Sequence, residues 1–377
     1  MTAGTAGMAG TAGQPGTPAE AAVRIDLDNL PALALGCTVF AGGGGGDPRI
    51  GELMAMEAIR ELGPVRLLPL DALADDDLIM PCGMIGAPTV MVEKIPNGGE
   101  GRVIREAYEG RFGRPVAAVM PFEMGGINGV LPVAWAAYAG LPLLDADFMG
   151  RAFPELQMLT PHLFGMPGSP AVITDERMQT VEFHTRDNVW LEKLVRNCVA
   201  SLGGSACGGL YPMTAGAARL PAITGTVTRA IRMGEAIRHG GEDPLAAIGR
   251  VAPVTRIGQG KVVDIERRTS GGFVRGSALV EGLGTDKGRL FRLEFQNENL
   301  VVLEDGEPLA TVPDIITLLD THTGHGIVTE GIRYGQRIEI VAFPAPEVWT
   351  SPEGLAAVGP RAFGYDFDFV PVGERHG

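Results

Sequence analysis

A chain of 377 residues with 45% hydrophobic and 20% charged side chains is long enough for two domains and has the composition of a folded protein, which excludes a disordered one. A formal charge of −14 with no Lys/Arg-rich block leaves no basic footprint for phosphates and excludes nucleic acid as a partner. No apolar run reaches the ~18–20 residues that cross a bilayer, no basic-then-apolar leader opens the chain, and the four cysteines form no CxxC pair. The expectations are no membrane, a cytoplasmic location, and neither a zinc knuckle nor a disulfide framework.

Residues 1–22 are low-complexity Ala/Gly/Thr/Pro and are read as a disordered tail. Residues 28–35 suggest a short helix leading into an apolar strand over 37–41. Five glycines follow, Gly42 to Gly46, before Asp47-Pro48 and a helical pattern over 50–62. Short apolar runs at 65–70, 78–82, 116–120 and 141–144 alternate with helical stretches at 101–112 and 129–139. Buried strands alternating with helices predict an α/β fold, with a mixed or largely parallel sheet between helices over an N-terminal domain at 23–186. Helices are expected over 189–202 and 226–239. From Gly258 onward, strands at 261–266, 272–283, 290–296, 300–304 and 337–342 predict an antiparallel sheet or small barrel, which makes 187–377 a β-rich C-terminal domain.

The chemistry concentrates where apolar strands end. Glu123 follows the run 116–120, at the carboxyl end of a strand, where open α/β sheets bind ligands. Gly125 and Gly126 permit close approach of backbone, and Asn128 either touches a ligand or caps the next helix. Asp145 and Asp147 follow a second such strand. Two apart on an extended chain, they converge, and so call for a cation, either a divalent metal or Arg151. Hard oxygen donors suit zinc, magnesium or manganese. Arg151 is read as a carboxylate grip or a lock on Glu155, and Glu155 as a base or a helix-start cap.

Other features stay open between two readings. The loop Gly42–Gly46, with Gly44, Gly45 and Asp47, offers backbone N–H groups to a ligand or is a tight turn capped by Asp47. It lacks both a dinucleotide fingerprint and a Walker ending, so no nucleotide is expected. Cys207, flanked by glycines, is a nucleophile, a metal ligand or a small loop residue. His162 is a metal ligand, a general base or a core histidine.

Five motifs place these residues together. GGGGDPxIG at 43–51, GAPTVxxEK at 86–94, PFEMGGxNG at 121–129, GLPLLDADxMGRAFPE at 140–155 and GPRAFGYDFDFVP at 359–371 resemble the S-methyl-thiohydantoin desulfurase family over 25–372. The resemblance implies an α/β domain followed by a β-rich one. It also implies hydrolytic loss of methanethiol from an S-methylated thiohydantoin bearing a propionate chain, giving a hydantoin in sulfur-betaine catabolism. Such genes often lie beside hydantoinase-type ones, so such a protein is the candidate partner, besides a homo-oligomer. Two mechanisms follow from the residues. In one, a metal on Asp145 and Asp147, with His162 or Glu123 in reach, brings the pKa of water down towards roughly 7. In the other, Cys207 displaces methanethiol. Glu123 or Glu155 serves as base, and Arg151 holds the propionate. A cyclic-amide hydrolase and a non-catalytic auxiliary subunit are the alternatives.

Overall fold

The computed structural model describes residues 23–375 except Val92, Glu242, Gly271 and Gly272, so the expected N-terminal tail lies outside the described residues. Strands in the first half are β1 (Arg24–Ile25), β2 (Val65–Leu68), β3 (Leu78–Gly86), β4 (Val116–Pro121), β5 (Leu143–Leu144), β6 (Ala146–Asp147), β7 (Ala171–Thr174) and β8 (Thr180–Phe183). After them come β9 (Ser205–Gly209), β10 (Met213–Thr214) and β11 (Ile223–Thr224). The main helices are α1 (Leu30–Phe40), α2 (Arg49–Leu62), α3 (Glu100–Phe112), α4 (Leu131–Ala139), α5 (Asn188–Ser201) and α6 (Thr226–His239).

The first sheet runs β1-β2-β5-β4-β3-β9-β7-β8, with β10 also beside β3. Its centre, β2, β5, β4 and β3, is parallel, and β9, β7 and β8 join antiparallel. Alternation along β3 sends Leu78, Met80, Cys82 and Met84 into one apolar cluster and Ile79 into the other. Both faces are covered, which is why these strands read as unbroken apolar runs.

The second sheet is entirely antiparallel. It comprises β12 (Thr255–Ser270), β13 (Phe273–Gly282), β14 (Leu290–Gln296), β15 (Glu298–Glu304), β16 (Glu307–Thr311), β17 (Ile315–Asp320), β18 (Gly326–Ile327) and β19 (Arg337–Phe343). Their order is β16-β15-β14-β13-β12-β19-β17-β18. This is the α/β architecture with a β-rich second half that the sequence predicts.

One element differs from expectation. Residues 37–40 are not a strand but the last turn of α1. Nine of the eleven residues of α1 are buried, because α6 covers one side while Ile315, Leu319 and Phe343 of the second sheet join its core. A helix that is apolar all round shows no 3.6 period, so its sequence cannot be told from a strand. The α1–α6 contact is close enough that a Cβ on Gly36 would lie 1.8 Å from the Ala230 carbonyl oxygen, and one on Gly234 would lie 1.7 Å from that of Ala32.

The glycine run therefore joins two helices and touches both halves of the molecule. Gly42 O accepts from Asn299 N (2.7 Å) and Gly43 O from Thr329 N (2.8 Å), both in the second half. Gly45 O accepts from Ile127 N (3.0 Å) on the other side. Gly42, Gly43, Gly45 and Gly46 all have positive φ, from 55° to 89°, a region closed to most side chains.

Candidate active site

A small cleft of about 50 Å³, partly open to solvent, lies at the carboxyl ends of β3 and β4 and is closed on its far side by Asn297 and Glu298. Its walls carry Glu123, Asn128, Glu155, Arg196 and Glu298 among apolar side chains such as Phe122, Met149 and Phe153. Ligand sites in open α/β sheets fall in this position.

Glu123 leaves β4 two residues past its end and is buried. Its Oε1 accepts from Asn128 Nδ2 (2.7 Å) and its Oε2 from Phe153 N (3.3 Å). The Asn128 amide is fixed in turn, accepting from Met84 N (2.6 Å) and donating to Met84 O (3.1 Å). The reverse orientation would set donor against donor and acceptor against acceptor, so Asn128 can only donate to Glu123. Asn128 is thus more than a helix cap: it ties β3 to the carboxyl at the cleft. Burial is the main cause that pushes Glu123 up to about 8, with Asp147 adding to it, against the opposing effects of Asn128, Phe153 and Arg151. A group so placed keeps its proton at neutral pH. Since Asn128 occupies Oε1, that proton belongs on Oε2.

Other residues singled out by the sequence go elsewhere. Asp145 and Asp147 do not converge, because the chain bends at Asp145 between two two-residue strands. Asp145 accepts from Thr228 N (3.0 Å) and Thr228 Oγ1 (2.6 Å), serving the first turn of α6. Asp147 turns inward, and both of its oxygens receive Gly150 N at 3.0 Å. Burial raises Asp147 to about 7 despite these bonds and the charge of Arg229. His162 is half-buried, with Nδ1 3.1 Å from Asn188 Nδ2, and burial lowers its pKa. The three expected metal ligands are therefore apart, and among the described residues no group of three or more His, Cys, Asp or Glu could hold a metal ion. The donor set does not fit a zinc, magnesium or manganese centre. Replacing Asp145 with Ala should cost about 1 kcal/mol through loss of the α6 cap, seen as a lower denaturation midpoint, with kcat nearly unchanged.

Arg151 is fully buried and does not face the cleft. Nε donates to Ala152 O (2.9 Å), and Nη1 donates to Pro313 O (2.6 Å) and Asp314 O (2.9 Å). It stacks 4.3 Å from the Phe153 ring centroid and serves as an internal counter-charge to Glu298, Asp314 and Glu123 rather than a grip on a ligand or a lock on Glu155. The cation that lines the cleft is Arg196, which the sequence reading passed over. Its Nε donates to Glu192 Oε1 (2.7 Å), and its Nη2 donates to Pro154 O (2.9 Å). Glu155 lines the cleft and receives Gln157 Nε2. Asp47 is exposed and accepts from Arg49 N (2.8 Å) at the start of α2, which is the capping reading. Gly45 lines the cleft, and Gly44 lies against Glu298.

Cys207 is not in a loop. It is a buried residue of β9, opposite Met84 of β3 and Thr174 of β7, and burial lifts its thiol well above the ordinary value. The glycines that suggested flexibility are themselves strand residues: Gly208 and Gly209 are hemmed by Ile85, Ile173, Ile104 and Tyr108. A thiol so placed is neither accessible nor ionised, and nucleophilic attack by Cys207 is discarded. In native protein Cys207 should resist alkylation until unfolding, and Cys207→Ala should cost about 1–2 kcal/mol while leaving kcat within about twofold, as read by mass spectrometry and melting.

Glu298 is, with Arg196, a cleft residue that the sequence does not single out. It opens β15 after Asn297, whose φ is 56°. The only signal was a carboxylate between two asparagines at the head of an apolar strand, where a charge is costly without a purpose.

A solved structure of a protein from Chromobacterium violaceum has the same fold, with a TM-score of 0.75 at 24% identity, covering 93% of this chain and 100% of that one. No curated protein matches the chain. The family model described as S-Me-THD-like, N-terminal domain matches residues 28–185, and the one described as S-Me-THD-like, C-terminal domain matches 186–372. With both halves matched end to end, the chain belongs to the S-Me-THD-like family, that of the S-methyl-thiohydantoin desulfurases its motifs resemble.

Proposed function

We propose that the protein is a hydrolase that removes methanethiol from an S-methylated thiohydantoin carrying a propionate chain and leaves the hydantoin. The observation that carries this reading is a buried carboxyl, Glu123, fixed by Asn128 and Phe153 N at the wall of a largely apolar cleft, where burial favours its protonated form. The ring carbon bearing sulfur is amidine-like, and its electrophilicity rises when the neighbouring ring nitrogen is protonated. Glu123 Oε2 supplies that proton. Water adds to the carbon, the C–S bond breaks with its electron pair on sulfur, and methanethiolate leaves as the thiol. The glutamate carboxylate recovers a proton as the carbonyl forms, acting as acid and then base. The Phe122, Met149 and Phe153 side chains suit the flat ring, and Arg196, held by both oxygens of Glu192, lines the same cleft.

The test is purified chain, without added partner, incubated with an S-methylthiohydantoin propionate. Release of methanethiol with an intact hydantoin product supports the reading. A ring-opened product would make the protein a cyclic-amide hydrolase instead. No turnover except with a hydantoinase-type protein present would make it an auxiliary subunit.

A further inference from the structure

We propose that Glu298 is a second proton-transfer residue of this cleft, so that each sheet contributes one carboxyl to the reaction. The inference rests on the desulfurase reading above and names a partner for Glu123 within it. Glu298 lines the same cleft from the second sheet and is 2% exposed, and its Oε2 has no hydrogen-bond partner among the described residues. A buried carboxylate oxygen without a partner is costly unless it binds a proton or a ligand. The other oxygen is cradled. Backbone N–H groups of Gly45 and of Glu298 itself face the carboxyl, and a Cβ on Gly44 would lie 2.0 Å from Oε1. The glycine loop thus holds the protein's own acid, where the sequence left a ligand contact and a plain turn both open.

Charge counting gives the same result. Arg151 is the buried cation that faces Glu123 and Glu298, and its Nη2 is also without a partner. Both carboxylates ionised leave one net negative charge in that group, and one proton between them leaves none. Asp314 faces Arg151 too and adds negative charge, while Arg375 stands beside Asp314; Asp147 faces Glu123 and is offset by Arg229. The surroundings therefore favour a shared proton, and burial and the Glu123 charge together push Glu298 well above the usual carboxylate range.

The steps balance. The active form is the one in which the shared proton sits on Glu123 and Glu298 is ionised: Glu123 gives its proton to the ring nitrogen while Glu298 takes one from the attacking water. When the C–S bond breaks, Glu298 returns that proton to methanethiolate. The new hydroxyl gives its proton to Glu123 as the carbonyl forms, restoring both residues.

Glu298→Gln is the test, since it keeps the shape and removes the titration. Methanethiol release should fall on the order of 10²-fold in kcat with KM little changed, and one limb of the pH–kcat profile should vanish. A second readout needs no turnover. Infrared titration of the protonated carboxyl band should show two coupled carboxyl steps in the wild type and the loss of one of them in Glu298→Gln. Glu298→Asp, which keeps an acid on a shorter arm, should regain part of the rate and serves if the Gln variant fails to fold. A kcat within about twofold of wild type, or the same carboxyl steps in Glu298→Gln as in the wild type, overturns the proposal. A wild-type protein that releases no methanethiol overturns the desulfurase reading, while the infrared titration still decides whether the two carboxyls form a coupled pair.

Discussion

Glu123→Gln is expected to lower kcat for methanethiol release by about 10²–10⁴-fold while binding of the hydantoin product stays near wild type. The substitution keeps the bulk and the bond from Asn128, but it turns an NH2 towards Phe153 N and has no proton to give at neutral pH. In the wild type the acid form is the active one and Glu123 sits at about 8, so kcat should decline as pH rises through that value. Stability follows the same proton. The folded-state pKa lies above the ordinary carboxylate value of 4.5, so the folded protein binds more protons in between. The stabilisation is full below about 4.5 and is lost as pH climbs through about 8. Asp147 and Glu330, each raised by burial to about 7, act in the same direction. Melting temperature should fall from pH 6 to 9, and Glu123→Gln should flatten that fall without abolishing it. An unchanged kcat in Glu123→Gln would remove the acid role.

The largest stability effect is expected at the α1–α6 crossing. Gly234→Ala places a methyl 1.7 Å from a backbone oxygen of α1, and Gly36→Ala does the same from the other side at 1.8 Å. Backbone cannot swing aside as a long side chain can, so the helices must separate. Either substitution should cost at least about 3 kcal/mol in chemical denaturation, against the usual gain from replacing a helical glycine. Gly110, exposed in α3 with nothing near its would-be Cβ, is the control: Gly110→Ala should gain about 0.5–1 kcal/mol. Equal effects at Gly234 and Gly110 would mean the helices are not in backbone contact.

The sequence made legible those features that depend on local pattern. Alternating apolar runs and helical stretches gave the parallel centre of the first sheet, and period-2 alternation gave the second. Glu123 was found because a carboxylate just past a buried strand has few structural reasons to be there, and the structure puts it on the cleft wall. What was not legible depended on contacts far apart in the chain. The helix α1 loses its periodicity because the second sheet, nearly 300 residues away, covers its outer side. Cys207 sits in a glycine-rich stretch that reads as a loop, but only Gly203 and Gly204 are in the turn; Gly208 and Gly209 are strand residues pressed by Ile85 and Tyr108. The Asp145/Asp147 pair failed on a single bend, which no spacing rule anticipates. Glu298 stayed hidden because its purpose is set by Gly44, Gly45 and Arg151, all more than a hundred residues upstream.

The strand order of the first sheet bears on how the gene can be cut. The stretches matched by the two family models meet between residues 185 and 186, yet β9, beyond that point, lies between β3 and β7, which precede it. A fragment ending there would carry two raw sheet edges, and its complement would carry three orphan strands, β9, β10 and β11, and an orphan helix, α6. Co-expressed fragments should regain a working enzyme only by docking in place. Chimeras that swap one half for a relative's should fail unless the β3–β9 seam is exchanged along with it.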